Sequence, residues 1–292
     1  MRERLSYLAV VLLILLCAPS GVVLLFSDKE KIQIQKEPDL EDYLAGIVYS
    51  QIPEEDFPKE AIKAQAVLAR SEWTCRIQEG SVSEEDWQQE AVNLRREMKD
   101  PKFQKFYQQI QSAVIMTRQE VLAYQDEICR GIFHRVSAGY TRDGSDVFES
   151  GYKYITGVES VVDQESEEYL TGHYFTPDFL EKEFLNFGMP LSFSEGDEIT
   201  VKTRDEAGYA AEVKVGDTIC RGEEIRQLLH LPSACFTVEN QGKKIRFLCR
   251  GQGHGMGMSQ YGAGRMAQEG STYREILSYY FPEAEILTLE SE

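Results

Sequence analysis

Hydrophobic and polar positions divide the chain into an apolar N-terminal run and a longer part with amphipathic spacing. The run from Leu5 to Phe26 carries no charged residue. A helix over it, at ~1.5 Å rise per residue, would span a hydrocarbon core of roughly 30 Å. Arg2 and Arg4 precede the run and Asp28 follows it, which favours a cytoplasmic N-terminus. We therefore predict a membrane anchor over residues 1–28.

This anchor would insert into the cytoplasmic membrane through residues 5–26 and continue as a polar tether over 29–38. The rest of the chain would then lie outside the membrane, as a single-pass cell-membrane protein. Two alternatives are a cleaved signal peptide and a lipoprotein signal ending at Cys17. The bulky Leu16 before that cysteine is atypical of a lipoprotein signal.

Beyond the tether, the pattern predicts helices first and strands later. Leu40, Tyr43, Leu44, Ile47 and Val48 recur at helical spacing. Asp39 is the predicted N-cap, and Pro53 stops the helix. Further predicted helices begin at Pro58 and cover 83–98 and 102–118. Strand patterns start at Val121 and dominate 186–250, and a last helix follows the Thr272 and Glu275 capping-box pair. The order predicts an α+β fold in one domain over 39–286.

Composition excludes several classes of protein. The net charge of −18 argues against nucleic-acid binding, because phosphates require a positive surface. A hydrophobic content of 42% argues against disorder. The six cysteines include no Cys-x-x-Cys pair, and no nucleotide-binding fingerprint occurs, so we predict neither a metal nor a cofactor. Whether the external cysteines form one or two disulfides stays open.

The sharpest local signal is the glycine-rich run RGQGHGMGMSQYGAG at residues 250–264. Its alternating glycines around His254 allow close approach of the backbone to a ligand. Ser259 is positioned to cap the following helix. A plain flexible loop is the alternative interpretation.

The run belongs to a set of motifs that resembles the stage II sporulation protein D/amidase-enhancer (SpoIID/LytB) domain family. GHGMGMSQYGAGRMAQEGSTYREILSYYFP is similar to its C-terminal signature. LEDYLAGIV with EAIKAQAVLARS is similar to its N-terminal signature, and FHRVSAG to its central element. The matches keep the family's order from about Leu40 to Pro282.

The resemblance implies a membrane-anchored cell-wall protein of sporulation and engulfment that works with a partner amidase. Active members are lytic transglycosylases that cut peptidoglycan glycan strands stripped of stem peptides. One carboxylic acid protonates the glycosidic oxygen and then accepts a proton from the muramic 6-hydroxyl.

The chain departs from the family at this acid. The family segment Val-x-x-Glu-Met-Pro reads VYSQIP here, and Gln51 occupies the position of the acid. An amide forms hydrogen bonds with a sugar but does not shuttle a proton. Glu54 and Glu55 are candidate substitutes that would approach from another direction. Whether the protein is an enzyme therefore stays open between a glycan-binding module and an active transglycosylase with a displaced acid. A structural envelope protein is a third, weaker interpretation.

The resemblance also nominates residues for contact with glycan. Lys63 and Arg70 lie about 10 Å apart on one helix face. Both would pair with the lactyl carboxylate of muramic acid. The alternative is a solvated helix face stabilised by Glu60–Lys63 pairs. Structural roles are the alternative for the histidines. The remaining candidates come from the central and C-terminal motifs: His134, Ser137, His254, Ser259, Gln260 and Tyr261.

Charge along the chain is uneven. Acidic residues greatly outnumber Lys153 and Lys182 in segment 149–200, which carries none of the matched motifs. The cations, by contrast, lie in or beside the motifs: Lys63, Arg70, Arg135, Arg142, Arg250 and Arg265. We therefore predict a locally cationic groove on an acidic protein.

Overall fold

The computed structural model describes residues 40–53, 56–82, 86, 101–148, 151–196 and 198–289. The predicted anchor and tether lie outside these ranges, as does most of the predicted helix at 83–98. Within them, no helix combines the length and the apolar composition needed to cross a bilayer. The anchor over residues 5–26 stays a prediction.

Seven helices and eleven strands are present in the described ranges, which confirms the α+β class. The helices are α1 Leu40–Gln51, α2 Lys59–Gln78, α3 Pro101–Met116, α4 Pro177–Asn186, α5 Gly222–Leu228, α6 Gln260–Gln268 and α7 Tyr273–Tyr280. The strands are β1 Glu120–Tyr124, β2 Glu127–Ile128, β3 Phe133–His134, β4 Leu170–Phe175, β5 Ile199–Arg204, β6 Ala210–Val215, β7 Thr218–Arg221, β8 Phe236–Asn240, β9 Ile245–Arg250, β10 Met258–Ser259 and β11 Glu285–Thr288.

The strands form four small sheets with the orders β11-β1-β2, β10-β3, β4-β9-β8 and β5-β6-β7. All pairs are antiparallel except β10 with β3, where Met258 pairs with Phe133 and Ser259 with His134 in parallel register. This one parallel pair joins the central motif to the C-terminal signature.

The first hydrophobic core surrounds α2. This helix packs against α1, α3, α6, α7 and β1, and it buries residues on nearly every face. Its alanines allow close approach of neighbouring elements. An added Cβ at Gly131 would lie 1.9 Å from the carbonyl oxygen of Leu68, so the β2–β3 connection passes directly over the α2 backbone.

A second hydrophobic core lies within residues 175–249, where β4, α4 and the strand-rich segment pack together. Leu180, Phe184, Val213, Phe236 and Phe247 are fully buried there. The predicted strands are confirmed, but the sequence pattern missed α4 and α5. The sequence carries a start signal for α4, the N-cap Thr176 followed by Pro177, whereas α5 has only seven residues and few periodic positions.

The chain ends in two helices after the glycine-rich run. Ser259 Oγ accepts a hydrogen bond from Gly262 N at the start of α6. Thr272 and Glu275 form the predicted capping box at the start of α7. Both predicted caps are confirmed, and the first of them fixes where the glycine-rich run turns into helix.

Candidate functional site

Three glutamine side chains join the N-terminal motifs to the C-terminal signature. Gln51, the last residue of α1, lies against Gln65 of α2 and Gln260 of α6. Gln260 Nε2 donates to the main-chain carbonyl of Gln51 at 2.7 Å and contacts Gln65 Oε1 at 3.2 Å, and Gln65 Nε2 donates to Gln51 Oε1 at 2.9 Å. Gln65 and Gln260 are buried, whereas Gln51 is partly exposed.

The main-chain carbonyl of Gln51 fixes the orientation of all three amides, because a carbonyl only accepts hydrogen bonds. Gln260 must present Nε2 to it, so Gln65 presents Oε1 to that same Nε2. Gln65 then donates from Nε2 to Gln51, so the accepting atom of Gln51 must be Oε1. The remaining polar group of Gln51, a partly exposed residue, is therefore an N–H donor.

The glycine-rich run is packed against the central motif. Gly251, Gly253, Gly255 and Gly257 all have positive φ, between 66° and 108°. A Cβ at Gly253 would lie 2.8 Å from His134 Cβ, and one at Gly255 would lie 2.3 Å from Tyr209 Oη. These glycines accommodate the protein's own side chains, so the interpretation as a flexible loop is wrong.

The two motif histidines face each other with ring centroids 6.0 Å apart. His134 is buried, and its Nδ1 lies 2.9 Å from the carbonyl of Met256, which requires the proton on Nδ1. Its Nε2 has no hydrogen-bond partner among the described residues. Burial lowers the pKa of His134 to about 4 and, with His134 and two arginines nearby, that of His254 to about 3. Both rings are neutral at pH 7.

A buried carboxylate that the sequence did not reveal organises the same region. Asp163 Oδ2 accepts from Ser137 N at 2.7 Å, and Oδ1 accepts from Ser259 Oγ at 3.0 Å. Burial raises the pKa of Asp163, while hydrogen bonds from Ser137, Ser259 and Ser160 act in the opposite direction. Ser160 Oγ and Tyr280 Oη share a hydrogen bond of 3.0 Å.

Asp163 lies in the acidic segment 149–200, which carries none of the matched motifs. No local pattern distinguishes it from the neighbouring surface carboxylates. Only its contacts with Ser137 and Ser259 reveal that this segment holds the central and C-terminal motifs together.

Several of the predicted ligand contacts are enclosed by the protein. Arg70 is 1% exposed and binds Glu41 Oε1 at 2.5 Å as well as the carbonyls of Glu120 and Val114. Lys63 is 7% exposed and pairs with Glu60 at 2.6 Å. The Glu60–Lys63 pair is confirmed, but the face is not solvated. His134, Ser137, Ser259 and Gln260 are buried as well.

Direct contact with a ligand is incompatible with this burial, because a sugar needs access to the polar atoms. Gln51, His254 and Tyr261 retain partial exposure. Tyr261 N donates to the carbonyl of Arg135 at 3.0 Å, which places these two residues side by side. Glu54 and Glu55 lie outside the described residues.

Five of the six cations named for the predicted groove pair with carboxylates, so these five charges do not make it cationic. Arg135 pairs with Glu168 at 2.8 Å, Arg265 with Glu165 at 3.2 Å, and Arg142 with Asp205 at 2.7 Å. Lys63 pairs with Glu60 and Arg70 with Glu41. Two of the neutralising residues, Glu165 and Glu168, come from the acidic segment itself, which folds back onto the motifs.

A metal site is not formed by the described residues, since no three His, Cys, Asp or Glu side chains cluster suitably. The cysteines at 75, 129, 220, 235 and 249 are all free thiols. The chemistry that this arrangement offers at Gln51 is hydrogen bonding from its remaining amide N–H.

Comparisons with known proteins agree with this arrangement of motifs. The family model "Stage II sporulation protein" matches residues 28–124. Stage II sporulation protein D of Bacillus subtilis is 32% identical over 260 residues, covering 85% of this chain and 74% of the relative. The Bacillus amyloliquefaciens protein of the same name is 30% identical over 265 residues, covering 86% and 75%. The amidase enhancer of Bacillus subtilis is 44% identical over 50 residues, 17% of this chain and 7% of that protein.

These likenesses define the class as sporulation proteins with a role related to the cell wall. The chain belongs to the stage II sporulation protein D family.

Proposed function

We propose that this protein binds peptidoglycan glycan strands at the surface around Gln51 without cutting them. It does so outside the cytoplasmic membrane, tethered through residues 5–26, and acts there with a cell-wall amidase. Family membership and the amidase-enhancer likeness support the cell-wall part of the proposal.

One observation carries the non-catalytic part: Gln65 Nε2 donates to Gln51 Oε1 at 2.9 Å. Gln51 occupies the position of the family's acid, and its amide has no proton to give to a glycosidic oxygen at neutral pH. Its remaining N–H instead donates to a sugar hydroxyl or acetamido oxygen.

The same hydrogen bond is compatible with a carboxylate. In Gln51→Glu the new side chain has the same shape, and one oxygen accepts from Gln65 Nε2 while the other replaces the remaining N–H. Partial burial raises the pKa of such a group and the hydrogen bond lowers it. The surroundings of Gln51 would therefore accommodate a carboxylic acid in its place.

The test is incubation of the full-length protein with peptide-stripped glycan strands, followed by mass spectrometry for 1,6-anhydromuramic products and a co-sedimentation assay for binding. We expect wild type to bind and form no product, and Gln51→Glu to form product. Gln51→Met, which has similar volume and no amide, is the matched control and should lose affinity without gaining activity.

Product from wild type would contradict the proposal. Loss of that product in Glu54→Gln or Glu55→Gln would then establish the alternative, an active lytic transglycosylase with a displaced acid. Absence of any glycan binding would leave only a structural role.

A further inference from the structure

An open groove lies between the start of α2 and the helix α3. It has a volume of about 900 Å³ and is lined by residues of both helices and of the turn before α2. Phe57 and Phe106, which are both buried, form its floor. The other described residues that line it are Asp56, Pro58, Lys59, Lys102, Lys105, Gln108, Gln109 and Ser112.

Helix α6 connects the floor of this groove to Gln51. A Cβ added at Gly264 would lie 3.3 Å from Phe57 Cε2. Gln260, which donates to the main-chain carbonyl of Gln51, lies four residues before Gly264 and therefore on the same face of α6. At 1.5 Å rise per residue, the two contact points on α6 are about 6 Å apart. One glycan strand of several sugars is therefore long enough to meet both the groove and Gln51.

The end of α1 also packs against α3, which forms the second wall of the groove. The ring of Tyr49, two residues before Gln51, has its centroid 5.1 Å from that of Phe103 and 6.3 Å from that of Phe106. Since Phe106 also lines the groove, this wall is fixed to the helix that carries Gln51.

Polar side chains follow α3 along the groove. Lys102, Lys105, Gln109 and Ser112 recur every three or four residues, so they share one face of the helix. At 1.5 Å rise per residue, this stripe is about 15 Å long. Its amide and hydroxyl groups donate and accept hydrogen bonds, as sugar hydroxyl and acetamido groups require. Lys59, the first residue of α2, adds a third cation from the other wall.

The groove is cationic although the protein is acidic. Its described lining residues include three lysines and one carboxylate, Asp56, whereas the whole chain has a net charge of −18. Lys59 and Lys105 are exposed. Lys63, one turn after Lys59 on α2, is instead 7% exposed and paired with Glu60. An anionic ligand therefore has access to the amines of the groove and not to that of Lys63.

We propose that this groove is the subsite for muramic acid, where Lys59, Lys102 and Lys105 bind the lactyl carboxylates of a peptide-stripped strand that also contacts Gln51. The inference rests on the glycan binding proposed above and names the residues that select the substrate. A stem peptide joined to the lactyl group converts its carboxylate into an uncharged amide. The groove therefore favours strands from which an amidase has removed the stem peptides.

The experiment measures binding of two fluorescently labelled probes to the full-length protein at pH 7 by fluorescence anisotropy. The probes are a peptide-stripped glycan strand and the same strand after reduction of its carboxylates to alcohols. From the usual strength of exposed charge pairs, we expect wild type to bind the unreduced strand about threefold or more tightly. The difference should disappear at 1 M NaCl, where the Debye length falls to about 3 Å.

The double variant Lys59→Gln/Lys105→Gln removes one exposed cation from each wall. It should weaken binding of the unreduced strand by about threefold or more and leave binding of the reduced strand unchanged. Lys202→Gln/Lys243→Gln is the matched control, because it removes the same charge from exposed lysines outside the groove. The control should keep the preference of the wild type.

The outcomes separate the two proposals. Equal binding of the two probes by wild type would contradict the muramic subsite while leaving glycan binding intact, and binding of neither would contradict the proposed function itself. A preference that survives in the Lys59/Lys105 variant, or that is lost in the control, would show that these lysines do not determine it. Displacement of the unreduced strand by polyglycerol phosphate at equal charge concentration would identify a general polyanion site instead.

Discussion

Gln260 holds the end of α1 from 209 positions away in the sequence, through its amide on the main-chain carbonyl of Gln51. The same Nε2 contacts Gln65, so a single buried side chain connects three helices. Unsatisfied buried polar groups cost about 1–3 kcal/mol, which makes this contact important for stability as well as for the site.

Gln260→Leu should therefore lower the free energy of unfolding by about 1–3 kcal/mol, because the carbonyl of Gln51 and Oε1 of Gln65 lose their donor. Urea unfolding followed by circular dichroism measures the change. Gln268→Leu, at the exposed end of the same helix, is the control and should change stability little. Equal effects of the two substitutions would contradict the connecting role of Gln260.

Asp163→Ala should destabilise the protein by about 3 kcal/mol, since Ser137 N and Ser259 Oγ lose a charged acceptor in the interior. Glu167→Ala removes an exposed carboxylate from the same segment and should cost little. Loss of glycan binding in the Asp163 variant at temperatures where it stays folded would further support its role in positioning the two motifs. Similar stability of both variants would show that Asp163 is one surface carboxylate among many.

Gly262→Ala places a Cβ 2.0 Å from Tyr280 Oη and 2.7 Å from Ser160 Oγ. Overpacking of this kind typically costs about 1–3 kcal/mol, although alanine is otherwise the better helix former. Adding Tyr280→Phe removes the nearest atom and should restore part of the loss in a double-mutant cycle. Gly264→Ala, whose Cβ would meet Phe57 at 3.3 Å, should be much milder. Additive effects of the two changes at 262 and 280 would contradict the predicted clash.

Stability should fall as the pH drops from 6.5 towards 4. The pKa of His134 is lowered to about 4 in the folded protein, from 6.5, so only the unfolded chain takes up the proton in this window. The maximal linkage for one group is about 1.4 kcal/mol per pH unit, or about 3 kcal/mol over the window. His254 acts in the same direction, but its partial exposure makes His134 the clearer test.

His134→Asn keeps a donor for the Met256 carbonyl and removes the titration, so its stability should depend less on pH between 6.5 and 4. His230→Asn is the control. It changes an exposed histidine with φ of 51°, a conformation that asparagine tolerates. Thermal unfolding across this pH range measures both. An unchanged slope in the His134 variant would show that His134 does not carry the acid sensitivity.

The thiols of the folded protein should react slowly with iodoacetamide at pH 8. Burial raises the pKa of Cys75 and Cys220 to about 11 and of Cys129 and Cys249 to about 12, and it raises that of Cys235 as well. Since the thiolate is the nucleophile, we expect rates at least about 100-fold below those of the urea-unfolded chain. Peptide mapping identifies each site, and Ser278→Cys adds an exposed thiol as an internal standard. Rapid labelling of these cysteines in the native state would contradict their burial.

Elements with strong local signals, and the chemistry of one position, are predictable from the amino-acid sequence. The period of Leu40–Val48, the capping serine at 259 and the Thr272–Glu275 box are local, so each predicted its helix end or face correctly. The identity of Gln51 likewise needs no structure, because an amide lacks the proton of an acid wherever it lies. Helix α5, with seven residues, carries too few periodic positions to predict, whereas α4 has a recognisable start in Thr176 and Pro177.

Which charges meet, by contrast, depends on how the chain folds. Arg70 and Arg135 are equally cationic in the sequence, yet one is enclosed by α1, α3 and β1 and the other pairs with Glu168 at the surface. Asp163 and Glu165 are two residues apart, yet one is buried beneath the motif serines and the other faces solvent. Electrostatic interactions depend on distance and burial in three dimensions, and the sequence records neither, so the partner of each charge emerged only from the fold.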